Sequence, residues 1–187
     1  KKTNFNNFDF LNLSFDDNEE LKKIIFSQQY FSRTFYDEKS ISYHTFAWLN
    51  TAKKIGGAKI LSLSKKHIIN WYKKKYSSYS FIWDEVIVAK RLLNLVYSYD
   101  FYATPATEKE KNIFKFIILK NYLVLRLKAF FIKNKQEQPI EIFKVLLLLH
   151  SINNYKTDKI IKQINKQINY QVNDFGFHKS SNPCVQA

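Results

Sequence analysis

The chain reads as one apolar stripe at helical spacing after another, separated by short polar breaks. Over residues 19–36, Leu21, Ile24, Ile25, Phe31 and Phe35 approximate such a stripe, with Asp17 or Asn18 as cap and Glu19 and Glu20 in the first turn. Residues 37–42 are polar and read as loop. A helix over 45–55 ends at Gly56-Gly57, a normal helix stop. The next, over 58–76, places Leu61, Ile68, Trp71 and Tyr72 on one side and lysines elsewhere. After a turn at 77–80, residues 85–99 are apolar almost all round, which predicts burial between two layers. Residues 102–107 form a loop around Pro105. Thr107 and Glu110 then have the spacing of a capping box for a helix to about 133. Its apolar positions are Ile113, Phe116, Ile117, Leu123, Val124, Leu127, Phe130 and Phe131. Pro139 opens a helix to about 152, and residues 157–170 complete the series, with Ile160, Ile164 and Ile168 on one face. Residues 1–18 are dense in Asn and Asp and partly alternate, as in a short extended arm.

About seven helices joined by short turns make an all-α chain. Successive antiparallel hairpins of this kind build a bundle, a solenoid or an α/α toroid. Three glycines and three prolines in 187 residues agree with a helical class, and the length suits a single domain, 1–187. The longest purely apolar run, 145–149, is far too short to span a bilayer, so no membrane partner is expected. No Met occurs, even at position 1, which fits a fragment of a longer protein.

Charge adds a constraint on partners. Thirty Lys+Arg against 16 Asp+Glu give a net +14. A polyanion is the natural counterpart of such a balance. Only Arg33, Arg91 and Arg126 are arginines, and base readout favours arginine, so nucleic acid is not expected as partner. A basic helical nucleic-acid-binding protein stays as the third-ranked alternative. The single cysteine, Cys184, excludes an internal disulfide and any multi-cysteine zinc site. No His or acidic pair has metal-ligand spacing, and no phosphate loop or nucleophile elbow occurs, so neither metal nor cofactor is expected.

Candidate chemistry gathers at few places. His67 lies among lysines and reads as solvated; His150 ends an apolar helix and reads as packed or capping. His44, beside Tyr43 and before a helix, and His178, in the polar loop 174–183 with Gly176 and Asn182-Pro183, are the better proton-transfer candidates. Trp48, Trp71 and Trp83 with Tyr43 can form a surface on which sugar rings stack, or a set of core aromatics. Trp83-Asp84 stands at a helix entrance, where Asp84 can also be the N-cap. Arg91, inside an apolar helix, needs a partner: Asp84, or a ligand carboxylate or sulfate.

Three stretches in order resemble the heparinase II/III family. Tyr43-His44-Thr45-Phe46-Ala47-Trp48-Leu49 with Gly56-Gly57 is similar to the family's His-x-Phe-x-Trp-Leu…Gly-Gly segment. Trp83-Asp84 with Lys90-Arg91-Leu92-Leu93-Asn94 is similar to its Trp-Asp…Arg-Leu-Leu helix. The segment 176–183 resembles its Gly-Gly-His-x-Ser-Arg-Asn-Pro loop. The resemblance covers roughly residue 8 to the end. It implies an incomplete N-terminal (α/α) toroid, with a β-rich domain following in full-length relatives. It also implies a periplasmic or extracellular location and an acidic, uronate-containing polysaccharide as partner. The implied reaction is β-elimination: a base takes the C5 proton, a further group stabilises the carboxylate's enolate-like charge, and an acid protonates the leaving oxygen. The site residues it implies are His44 and His178 for proton transfer. Tyr43, Trp48, Trp83, Asp84, Arg91 and Asn182 would bind substrate. The sequence departs from the pattern in several places. No Asn-His pair occurs, the expected place being near Glu137-Gln138. Ser181 stands for the loop arginine and Phe177 for its second glycine, and no tyrosine follows Pro183. These departures make a non-catalytic carbohydrate-binding or scaffold toroid the alternative reading.

Overall fold

The computed structural model describes residues 38–77, 80–132 and 139–171. Among them every regular element is helical: α1 (Glu38–His44), α2 (Trp48–Ile55), α3 (Ala58–Lys73), a 3₁₀ turn (Phe81–Trp83), α4 (Glu85–Tyr97), α5 (Tyr99–Ala103), α6 (Glu108–Ile132), α7 (Ile140–Ile152) and α8 (Asp158–Gln171). The predicted extended arm over 1–18, the helix over 19–36 and the loop 174–183 lie outside the described residues.

Helix α4 organises the packing. It contacts α1, α2, the 3₁₀ turn, α5, α6 and α7. Eight of its residues are buried: Ile87, Val88, Ala89, Arg91, Leu92, Asn94, Leu95 and Val96. A helix apolar on nearly every side has little solvent face to offer, so it is enclosed except at positions such as the exposed Lys90. Asp84 starts α4 by accepting a hydrogen bond from Val86 N at 3.0 Å, an ordinary N-cap. Helix α6 starts with the predicted capping box: Thr107 N donates to Glu110 Oε2 at 2.9 Å, and Glu110 N donates to Thr107 Oγ1 at 3.3 Å. Helix α8 is carried by α7.

Three local expectations change. Residues read as loop over 37–42 belong largely to α1. That helix ends in a Schellman motif, in which Phe46 N donates to Tyr43 O at 3.2 Å and Ala47 N to Ser42 O at 3.2 Å. The residue in the left-handed conformation is Phe46 (φ 58°), where glycine is usual, so no Gly or Pro marks the break. The helix expected from 45 therefore starts at Trp48, after the motif. Second, the turn at Ser98 separates α5 from α4, and residues 99–103 are helix where the sequence suggested the end of one helix and then loop.

Third, α6 faces the core with Phe114, Ile117, Ile118, Asn121, Leu125 and Ala129. It leaves Phe116, Leu119, Leu123, Leu127, Phe130 and Phe131 exposed. Both sets have helical spacing, so periodicity alone cannot say which is inside.

Candidate functional site

The two described landmark stretches meet around Arg91. Its side chain is wholly buried. Nε donates to Asn121 Oδ1 at 2.8 Å, Nη1 to His44 O at 2.9 Å, and Nη1 and Nη2 to Ile82 O at 3.1 and 3.0 Å. The guanidinium also lies over the rings of Trp71, 4.5 Å from the centroid, and Trp83, at 5.2 Å. Neutral oxygens and aromatic faces thus replace a carboxylate. Asp84, one of the expected partners, is exposed and occupied as the α4 N-cap. Burial pushes the guanidinium down to about 9, so it remains charged at neutral pH.

One turn along α4, Asn94 extends the same seam. Its Nδ2 donates to Thr45 O at 2.9 Å, while its Oδ1 accepts from Asn50 Nδ2 at 2.9 Å. Ser98 Oγ donates to Asn50 Oδ1 at 3.4 Å. Carbonyls at the strained end of α1 point away from helical partners, and Arg91 and Asn94 supply the missing donors. The Schellman turn, the 3₁₀ turn and α4 are therefore held by one buried polar network.

His44 belongs to this network and is fully buried. Its Nδ1 accepts from Trp71 Nε1 at 3.0 Å, which places the ring proton of the neutral imidazole on Nε2. The rings of Tyr43, Tyr76 and Phe81 meet it edge-on at 5.1, 5.2 and 5.6 Å. Tyr43 and Trp48 are buried too, and Trp48 Nε1 donates to Tyr43 O at 3.3 Å. Trp83 is half-buried, 6.0 Å from Trp71. His67, read from the sequence as solvated, is buried against Trp48 at 5.5 Å. Burial pushes the Tyr43 hydroxyl far above its ordinary value, with Tyr76 adding to the effect. The structure thus brings Tyr43, His44, Trp48, Trp83 and Arg91 into one interior cluster and leaves Asp84 outside it. His178 and Asn182 lie outside the described residues.

A second arrangement was not anticipated. Tyr122 of α6 and His150 of α7 share a hydrogen bond, Oη to Nε2, at 3.0 Å. His150 Nδ1 lies 3.2 Å from Lys156 O. An Nδ1–H donating to that carbonyl leaves Nε2 as acceptor for the Tyr122 hydroxyl. The end of α7 builds this geometry. Asn154 (φ 54°) donates its N–H to Ser151 O at 3.2 Å, and Tyr155 N donates to His150 O at 2.8 Å, again a Schellman motif. The Tyr155 ring closes it by packing on His150 at 5.6 Å. Beside the pair opens a cavity of about 290 Å³, lined by Lys115, Ile118, Leu119, Tyr122, Leu149, Asn153 and Tyr155. The α6 residues here follow i, i+3, i+4, i+7 spacing, a signal present in the sequence but masked by the apolar residues around the rest of that helix.

Among the described residues no group of three or more His, Cys, Asp or Glu could hold a metal ion. Among them, too, no helix is long and apolar enough to cross a membrane. No protein-family model, curated protein or solved structure matches the chain.

Proposed function

We propose that this chain is a helical scaffold and binding domain of the heparinase II/III type, whose partner is an acidic, uronate-containing polysaccharide and whose buried landmark residues shape the domain rather than transfer protons. The observation that carries this reading is the Arg91 network. The first two landmark stretches are 40 residues apart in sequence. Arg91 and Asn94 donate to the carbonyls of His44 and Thr45, so the residues behind the resemblance depend on one another for packing. A base for C5 abstraction must reach substrate within hydrogen-bond distance. His44, enclosed by aromatic rings and accepting from Trp71, is a packing residue in this reading. The charge of +14 supports a polyanionic partner.

The lyase reading has one observation in its favour, the Tyr122–His150 pair beside an open cavity. A panel of polyuronates and sulfated glycosaminoglycans separates the two. The expected result is binding that weakens with salt and no growth of the ultraviolet absorbance of unsaturated uronate. Absorbance growth restores catalysis. Failure to bind any member of the panel, with salt-sensitive binding to DNA or RNA instead, replaces the proposal with the nucleic-acid alternative.

A further inference from the structure

The cavity between α6 and α7 has the chemistry of a saccharide subsite, and we infer that it receives a uronate ring of a short acidic oligosaccharide. This assignment rests on the function proposed above and adds the place of binding. Ile118, Leu119 and Leu149 form an apolar floor, and Tyr122 and Tyr155 supply aromatic walls. A pyranose ring presents C–H groups to such surfaces. Tyr155 is 45% exposed, so its ring is available to a ligand. The volume is near the small end of ligand cavities, which begin at about 300 Å³, and suits a ring rather than a folded peptide.

Polar groups stand at its edges. Lys115 is exposed and forms no ion pair among the described residues, although it lies close enough to Glu108 to help hold that carboxyl below its usual range, after Lys111. Asn153 commits its Nδ2 to Leu149 O at 2.8 Å, which leaves the amide oxygen for a ligand hydroxyl. Tyr122, whose hydroxyl proton is committed to His150 Nε2, offers its oxygen as a further acceptor, and Lys156 O fixes the tautomer that holds it so. Among the described residues no acidic one lines the cavity.

A second cation extends the track. Arg126 lies over the Tyr122 ring at 5.7 Å. Lys115 and Arg126 are eleven residues apart on α6, so they share a face about 16 Å apart along the axis. A chain of linked uronates carries carboxylates at repeated intervals, and a ring seated between the two cations extends its neighbours toward both. A lone apolar anion would use the floor and one cation only.

Calorimetric titration of the chain with an oligouronate, and with its methyl ester, tests the assignment. Variants Lys115→Ala, Tyr155→Ala and the surface control Lys90→Ala are compared, with thermal unfolding as a check that each folds. The expected result is a loss of about tenfold in affinity for each of the first two variants, none for Lys90→Ala, and poor binding of the ester. Binding that is equal in all variants overturns the location and leaves the proposed function standing. No oligouronate binding to the unaltered chain overturns both. Displacement of the oligouronate by decanoate at equal concentration overturns the saccharide assignment in favour of an apolar anion.

Discussion

Replacing Arg91 by lysine keeps the positive charge and removes the fork. In the native structure three acceptors depend on that fork: Asn121 Oδ1, His44 O and Ile82 O. An ammonium on an unbranched stem cannot meet all three from one position. At least two buried oxygens then lose a donor, each costing about 1–3 kcal/mol. Weaker contact with Trp71 and Trp83 adds roughly 0.5–1 kcal/mol. Arg91→Lys is therefore expected to destabilise by about 2.5–7 kcal/mol, a large share of a typical total of about 5–15 kcal/mol. In a domain of this size that corresponds to a fall of roughly 5–28 °C in Tm. Urea unfolding followed by circular dichroism measures it. Asp84→Asn is the informative companion. Asparagine caps a helix about as well as aspartate, so the structure predicts a change within about 0.5 kcal/mol. An Arg91→Lys cost below about 1 kcal/mol would refute the reasoning. So would an Asp84→Asn cost of similar size with strong coupling in the double variant, because it would mean that Arg91 relies on Asp84.

Alkaline pH should weaken the fold. Burial raises the hydroxyls of Tyr43 and Tyr102 above their ordinary value of 10, and that of Tyr76 to about 12. Above pH 10 the unfolded chain loses these protons first, so stability that is complete below pH 10 is lost as pH rises. The lowered Arg91 value acts in the opposite direction above about 9, because there the unfolded chain holds the extra proton. Three tyrosines against one arginine leave a net fall in stability as pH rises beyond about 10.5. A denaturant midpoint that is flat or rising between pH 10 and 11.5 contradicts this balance. Gly57→Ala should cost about 1–3 kcal/mol, because Gly57 has φ 84° and a Cβ there meets no atom within 4 Å, so the whole effect is backbone strain. A thermal midpoint equal to that of the parent chain would show that the α2–α3 turn relaxes without strain.

Much of the helical order was legible in the chain. The capping box at Thr107 and Glu110, Pro139 before α7 and Gly56-Gly57 after α2 are local signals, and local backbone chemistry suffices to place them. The turn at Phe46 was not legible, since its left-handed residue is aromatic and is held there by burial against Trp48 and Trp71. The expected site residues were recognised as unusual, and most do cluster. Their exposure could not be read, because an aromatic beside a histidine has the same pattern in a cleft and in a core. The Tyr122–His150 pair was missed for a different reason: 28 residues and a chain reversal separate its members.

The sequence by itself determined that this protein is helical, where most helices begin and end, and that it is strongly basic, because capping, periodicity and charge act over a few residues. The tertiary structure alone decided which face of α6 turns inward. It also decided that Arg91 is satisfied by carbonyls, an amide and rings instead of Asp84, and that a histidine of α7 meets a tyrosine of α6. Each of these depends on which distant surfaces exclude water together, and a buried donor takes whichever acceptor that packing brings within reach.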